Sequence, residues 1–322
     1  MFAVSATSIH PDNPIEGLFL GDHADPEPPE GWAVVDVKAA ALNHHDLWTL
    51  KGVGIKAEQL PIILGCDAAG IADDGTEVIV HAVIGDPAAG GGDETLDPKR
   101  SLLSEVYNGT LAQKVMVPRR NLVAKPAALS WQEAACLPTA WLTAYRMLTT
   151  RGDLTAGQTV LVQGAGGGVA TAAIVLAKAL GARVWATSRD EAKRARALEI
   201  GADDVFESGA RLPERVDLVI ETVGQATWDH SLKSLRPGGR IVVSGATSGA
   251  APGADLNRVF FLQLSVIGST MGTLGELQAL TALCADSGVR PLIDSEFALR
   301  DATSAFERLA AGEAFGKIVL TV

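Results

Sequence analysis

With 322 residues, 47% hydrophobic and 20% charged, the chain is long enough for two cores and too apolar to be disordered, since single cores stop growing near ~250–300 residues. A formal net charge of -11 repels phosphate backbones and anionic bilayers, which excludes nucleic acid and membrane as expected partners. Cys66, Cys136 and Cys284 lie too far apart for a disulfide framework or a four-cysteine zinc lobe and suit a reducing compartment. Met1 to Thr7 lacks the pattern of a leader, and no apolar run reaches the ~20 residues of a membrane span, so a soluble, cytoplasmic chain is expected.

In chain order, a Pro-punctuated start leads into a strand over Trp32–Ala41, followed by short strands over Ile62–Leu64, Gly75–His81 and Leu111–Val117. Gly85–Asp97 is polar and glycine-dense and reads as loop. Ser130 with Glu133 three residues on is a capping box, and it opens an apolar helical run through Trp141 and Leu148. Strand and helix signals then alternate. Thr159–Val162, Arg183–Thr187, Val205–Phe206, Val216–Glu221 and Arg240–Ser244 read as strands; Val169–Leu180, Asp190–Ile200 and Gln225–Leu235 read as helices. Repeated βα units of this length mean a doubly wound parallel sheet. The tail carries helices at Leu274–Asp286 and Arg300–Ala311 and a last strand, Lys317–Val322. The expected organisation is a mostly β domain over 1–125, a nucleotide-binding domain over 126–266, and a return to the first domain over 267–322.

Val160-Leu-Val-Gln-Gly-Ala-Gly-Gly-Gly-Val-Ala turns a buried strand tightly into a helix, so backbone amides and the positive helix end can face a pyrophosphate. In the register that starts at Gly164, the third small position falls on Val169 and the standard fingerprint fails. The register Gly167-Gly168-Val169-Ala170 closes on a small residue. About 20 residues on, where a carboxylate grips the ribose hydroxyls of NAD, stand Thr187-Ser188-Arg189. A hydroxyl, Arg189 and then Lys193 suit a 2′-phosphate, so NADP(H) is expected over NAD.

A β domain, a doubly wound domain and a returning tail give the whole chain the look of the medium-chain dehydrogenase/reductase superfamily. The motifs that carry this are Ala41-Leu-Asn-His-His-Asp, Leu64-Gly-Cys-Asp-Ala-Ala-Gly, Asn108-Gly-Thr-Leu-Ala-Gln, Leu137-Pro-Thr-Ala-Trp-Leu-Thr-Ala-Tyr, Gly164-Ala-Gly-Gly-Gly-Val-Ala and Phe315-Gly-Lys-Ile-Val-Leu. They resemble most the zinc-free quinone oxidoreductase branch. The resemblance implies a Rossmann domain beside a GroES-like, mostly β catalytic domain. Zinc-dependent relatives place metal ligands at the positions of Asn43, Cys66 and Thr139; only Cys66 is a ligand type, and one ligand cannot hold a catalytic zinc, so no metal is expected. His44 and His45 read as neighbours on extended chain that point to opposite sides.

Quinones and conjugated enones are already electrophilic and need no Lewis acid, unlike an alcohol that must lose its proton. The resemblance therefore implies hydride transfer from NADPH to a quinone, with an enone or 2-alkenal as the alternative acceptor. A binding module for NADPH without turnover is the reading from another class. No cluster of arginines outside the nucleotide loop points to coenzyme A. By the same resemblance Asn43, Thr139 and Thr143 lie beside the nicotinamide ribose or the substrate, and Ser269 and Thr270 near the nicotinamide amide. Thr222, Val223, Gly245, Ala246 and Thr247 follow strand ends, where doubly wound sheets bind ligands. Gly164, Ala165, Gly167, Gly168 and Val169 form the phosphate loop. Tyr107 is either a proton donor or an aromatic that closes a loop, and Lys317 either a cofactor contact or a solvated lysine. Asp46 is expected to fix the turn after Asn43. A homodimer, paired through its nucleotide domains, is implied as well.

Overall fold

The computed structural model describes residues 1–322, which divide into two compact units: Met1–Leu142 with Met271–Val322, and Thr143–Thr270. Residues 126–142, assigned from sequence to the nucleotide-binding half, pack with the first unit. The capping box at Ser130 is present, with Ser130 Oγ accepting from Glu133 N, but the helix it starts lies against the β strands of that unit.

The first unit is built from β1 (Phe2–Ala6), β2 (Leu18–Asp22), β3 (Trp32–Ala41), α1 (His44–Leu50), β4 (Ile62–Ile63), β5 (Asp67–Ala72), β6 (Glu77–Val80), β7 (Val83–Ile84), β8 (Ser101–Leu102), β9 (Lys114–Pro118), β10 (Leu122–Ala124) and α2 (Trp131–Ala135). Expected strands are present but shifted by a few residues, as at Glu77–Val80 against Gly75–His81. The Gly85–Asp97 stretch is not all loop: Asp93 caps a short 3-10 turn, Glu94–Leu96, that buries Glu94 and Thr95. Past α2 the chain stays helical through a π-helical turn at Leu137–Trp141, α3 (Leu142–Arg146) and a second π-helical turn at Met147–Arg151. The single regular run read from sequence is thus interrupted twice, the first time at Pro138, whose ring cannot sit in an unbroken helical ladder.

The second unit runs β11 (Thr159–Val162), α4 (Gly168–Ala179), β12 (Arg183–Thr187), α5 (Glu191–Glu199), β13 (Asp204–Phe206), β14 (Val216–Glu221), α6 (Gln225–Ser234), β15 (Leu235–Val243), α7 (Leu256–Phe261) and β16 (Ser265–Gly268). All its pairings are parallel, in the order β13-β12-β11-β14-β15-β16, the doubly wound Rossmann arrangement. Apolar runs such as Thr-Val-Leu-Val are buried at every position, as a sheet covered on both faces requires. β15 begins at Leu235 rather than Arg240; the sheet absorbs Pro237 through a register shift opposite Val216–Leu218.

The tail returns through α8 (Leu274–Ser287), β17 (Ile293–Ala298), α9 (Ala302–Ala311) and β18 (Lys317–Thr321). β18 inserts between β17 and β3, completing the order β10-β6-β5-β3-β18-β17, with β9 also on β3. Phe306 of α9 and Leu320 of β18 join Val35, Val37, Leu64 and Leu111 in one core, each fully buried large side chain contributing about 1.5–3 kcal/mol. The tail is therefore part of the first unit's core. No helix is long and apolar enough to cross a membrane.

Candidate functional site

The second unit carries a phosphate cradle. β11 ends at Val162, and Gly164 (φ 73°) and Gly166 (φ 138°) take backbone conformations open to glycine before Gly167 caps α4. A Cβ on Gly164 would meet Val223 Cγ2 at 2.6 Å, and one on Gly166 would meet Lys193 Cδ at 3.0 Å. The Gly164 amide donates to Thr187 Oγ1 (3.3 Å) and the Ala165 amide to Thr187 O (2.7 Å), while the first-turn amides of α4, at Gly168 and Val169, have no partner within the helix.

At the end of β12, Ser188 is buried and its Oγ accepts from Asp190 N (3.2 Å), while Arg189 is exposed. Asp190 caps α5 by accepting from Lys193 N (3.1 Å), so its carboxylate serves the helix. The Lys193 stem lies across Gly166, within reach of the same cradle. Ser188 and Arg189 thus follow β12 directly, and the Lys193 side chain lies by the glycine turn. They fit a 2′-phosphate.

Two further loops close the rim. Thr247 N donates to Thr222 O (3.4 Å), and Ser248 N and Oγ both donate to Val223 O (2.8 and 2.7 Å), which zips 245–249 onto 222–224. Gly245 is small because a Cβ there would stand 3.0 Å from Thr222 O. Ala246 packs beneath Gly224, whose φ of 88° suits only glycine. At the end of β16, Ser269 N donates to Val243 O (2.9 Å), whereas the buried Ser269 Oγ has no partner, and Thr270 is exposed. A buried hydroxyl without a partner is costly and suits a ligand that would satisfy it. Thr143, at the start of this unit, is buried.

In the first unit, Lys317 is neither solvated nor turned to a surface. It is 2% exposed and donates to Leu42 O (2.7 Å), Asn43 Oδ1 (2.7 Å) and Asp67 Oδ2 (2.9 Å), which uses all three of its hydrogens. Asn43 Nδ2 donates to the same Asp67 oxygen (2.9 Å), fixing the amide orientation. Asp46, buried with its carboxyl pushed up by burial, accepts from Asn43 N (2.8 Å) and Gly65 N (2.9 Å), the turn-fixing role expected for it.

His44 and His45 open α1 rather than lying on extended chain, because the Asp46 side chain in the first turn accepts from the N-cap amide of Asn43. His44 is exposed. His45 is half-buried, with Nδ1 3.6 Å from Cys66 Sγ and 3.4 Å from Ser104 Oγ, and Nε2 3.3 Å from Glu105 Oε1. Burial opposes the imidazolium form, while Cys66, Glu105 and Asp46 around the ring push its pKa upward. Cys66 is buried, its thiol pushed up by burial and donating to Leu103 O (3.2 Å). Tyr107 packs against Trp32 with its ring tilted by 53° (centroids 5.1 Å apart) and lies against the β core, as a loop-closing aromatic does.

The three positions that hold zinc in metal-dependent relatives do not fit the ion here. Asn43 is committed to an ammonium and a carboxylate, Cys66 is turned to a carbonyl, and Thr139 is a hydroxyl whose buried Oγ1 has no partner. A buried Lys317 charge beside Asn43 and Asp67 repels a second cation. No group of three or more His, Cys, Asp or Glu side chains is arranged to hold a metal. Sequence reasoning missed Asp67 as the acceptor for Lys317 and Glu221 as a buried carboxylate; a carboxylate closing an apolar strand was the available signal for the second.

A family model described as the GroES-like domain of alcohol dehydrogenases matches residues 29–127, and one described as zinc-binding dehydrogenase matches 168–286. The chain is 31% identical to the acryloyl-coenzyme A reductase of Metallosphaera sedula, over 95% of this chain and 97% of that one. It superposes on the crystal structure of an NAD-dependent alcohol dehydrogenase with a TM-score of 0.91 and 32% identity, covering 100% of both chains. A 2-octenoyl-CoA carboxylase reductase in complex with NADP and 2-octenoyl-CoA shares the fold, with a TM-score of 0.92 and 24% identity over 99% of this chain and 87% of that one.

Proposed function

Because this chain belongs to the medium-chain dehydrogenase/reductase superfamily, we propose that it is an oxidoreductase that reduces the double bond of an α,β-unsaturated carbonyl compound with NADPH and without a metal. The carrying observation is the Lys317 ammonium held by Asn43 and Asp67 at the place where metal-dependent relatives gather ligands. An alcohol needs a Lewis acid to lose its proton; a conjugated acceptor is electrophilic as it stands. The name of the 31% identical relative supports an enoyl thioester or a related enone as the acceptor. A quinone shares that chemistry, and the motifs around Asn43, Asn108 and Gly164 favour it as the second reading.

NADPH, when bound, supplies the hydride. Gly168 and Val169 hold its pyrophosphate with backbone amides in a turn that Gly164, Ala165 and Gly167 shape, and Ser188, Arg189 and Lys193 grip the 2′-phosphate. Thr222, Val223, Gly245, Ala246 and Thr247 bed the ribose and nicotinamide half, with Ser269 and Thr270 at the amide. The family resemblance assigns Asn43, Thr139 and Thr143 to the nicotinamide ribose or the substrate. His45, with Nε2 3.3 Å from Glu105 Oε1, is the proposed proton source in place of Tyr107, whose ring is used in packing.

The test is oxidation of NADPH and NADH by chelator-treated protein against acryloyl and crotonyl thioesters, a 2-alkenal, a benzoquinone and a simple ketone. Metal-independent NADPH oxidation with the conjugated carbonyl compounds is expected. Turnover only of the ketone, and only with added zinc, would overturn the proposal, and NADPH binding without any turnover would leave a non-enzymatic module.

A further inference from the structure

Glu221 ends β14 with its side chain fully buried, where a carboxylate persists only if donors replace its lost hydration. Four groups donate to it. Val223 N (2.8 Å) and Gly224 N (3.0 Å) reach Oε1, Thr227 Oγ1 lies 2.9 Å from both oxygens, and Ser231 Oγ donates to Oε2 (2.6 Å). The parallel register pairs Val162 with Ala186 and with Ile220, so Gln163, Thr187 and Glu221 are neighbours at three strand ends. Gln163 Nε2 donates to Ser231 Oγ (2.9 Å), Thr187 Oγ1 donates to Gln163 Oε1 (2.6 Å), and the Gly164 amide donates to Thr187 Oγ1 (3.3 Å). One chain of hydrogen bonds runs from the buried carboxylate to the first glycine of the phosphate loop.

His230 fixes the direction of that chain. Because Gln163 Oε1 accepts from Thr187, its Nε2 donates to His230 Nδ1 (2.9 Å), and the His230 Nε2 hydrogen goes to Ala210 O (2.8 Å). The two Gln163 Nε2 hydrogens then go to Ser231 Oγ and His230 Nδ1. Charge-assisted and linked bonds of this kind lock the groups they join more firmly than separate ones.

We infer that Glu221 is the positioning residue for the nucleotide site, holding two cofactor loops in register from below. Directly, it pins the Val223–Gly224 turn, which carries 245–249 through the carbonyls of Thr222 and Val223. Through Ser231, Gln163 and Thr187 it holds Gly164. The inference rests on the reading of this unit as an NADPH site. It assigns to Glu221 the pyrophosphate and nicotinamide end, because the Ser188–Arg189–Lys193 edge is held separately by Asp190 and α5.

The test uses the full-length protein, titrated calorimetrically with NADPH and, separately, with adenosine 2′-monophosphate, which keeps the 2′-phosphate but lacks the pyrophosphate and the nicotinamide half. Glu221→Ala should raise the Kd for NADPH roughly ten- to a hundredfold and leave that for the monophosphate within about twofold. Glu221→Gln, which keeps an acceptor for the two loop amides, should lie between wild type and Glu221→Ala. Thr187→Val and Ser231→Ala each cut one link and should weaken NADPH alone, by less. Should Glu221→Ala not fold, these three variants carry the test. Parallel weakening of both ligands would mean that Glu221 merely keeps the unit folded, and unchanged NADPH affinity would mean that it positions nothing; either overturns the inference. A wild-type protein that binds neither ligand would remove the nucleotide reading itself and the inference with it.

Discussion

The Lys317 ammonium and the Asp67 carboxylate meet at 2.9 Å, with side-chain exposures of 2% and 0%. A pair so deep holds together only because each charge answers the other, and removing one partner leaves the second buried and uncompensated. Lys317→Met should therefore cost about 3–5 kcal/mol in urea unfolding. Adding Asp67→Asn, which removes the orphaned charge and keeps an acceptor for Asn43, should restore much of it. A single variant as stable as wild type would show that the pair carries no weight.

That pair also marks where sequence reading stops. The Rossmann unit was legible because strands such as Thr159–Val162 and Val216–Glu221 are apolar throughout and alternate with helices at a regular spacing. The glycine loop was legible from its place between β11 and α4. Lys317 was not, because a lysine opening a last strand looks solvated until the strand is seen to insert between β17 and β3. Its partner lies 250 positions away. α1 was hidden by two histidines with no helical bias, and the cap that makes them helical depends on Asp46 being buried. The edge elements α7 and β16 gave no periodic signal because their large apolar side chains stand outside the core.

Acid sensitivity should come in part from Asp294 in β17. Burial would raise its carboxyl, but Arg308 Nε (2.6 Å) and Phe315 N (2.9 Å) hold it below the ordinary 3.8. A depressed carboxyl contributes stability that is complete above its unfolded value and is lost as pH falls through the lower folded one. Asp294→Asn should cost about 1–2 kcal/mol at neutral pH, since Arg308 is partly exposed and screened. The gap between wild type and variant should close as the pH drops below 3.8. Unfolding curves from pH 7 downward would show it, and a gap that stays constant would rule the pair out.

A homodimer is proposed through the free edge of the second unit's sheet. β16 ends the strand order, with β15 on one side only, so its outer amides and carbonyls are open to another strand. Val266 is 48% exposed there, and Phe260 and Phe261 of the preceding helix are 67% and 79% exposed, an apolar patch that a second copy would cover symmetrically. Light scattering on a sizing column should give the mass of two chains for wild type. Val266→Lys combined with Phe261→Asp should shift it toward one. A wild-type protein of one-chain mass at micromolar concentration would refute the pairing.

Cofactor choice should turn on Arg189. It is exposed at the end of β12 beside the buried Ser188, where no carboxylate stands to bind a free ribose hydroxyl pair. A guanidinium on a 2′-phosphate forms charge-assisted bonds worth about 1.5–3 kcal/mol. Arg189→Ala should thus raise the KM for NADPH roughly ten- to a hundredfold while kcat and the KM for NADH stay near their starting values. The comparison between the two nucleotides matters more than the loss itself. An equal rise for both would place Arg189 at the pyrophosphate or in the fold, and no rise for either would mean that Lys193, reaching over Gly166, does the gripping alone.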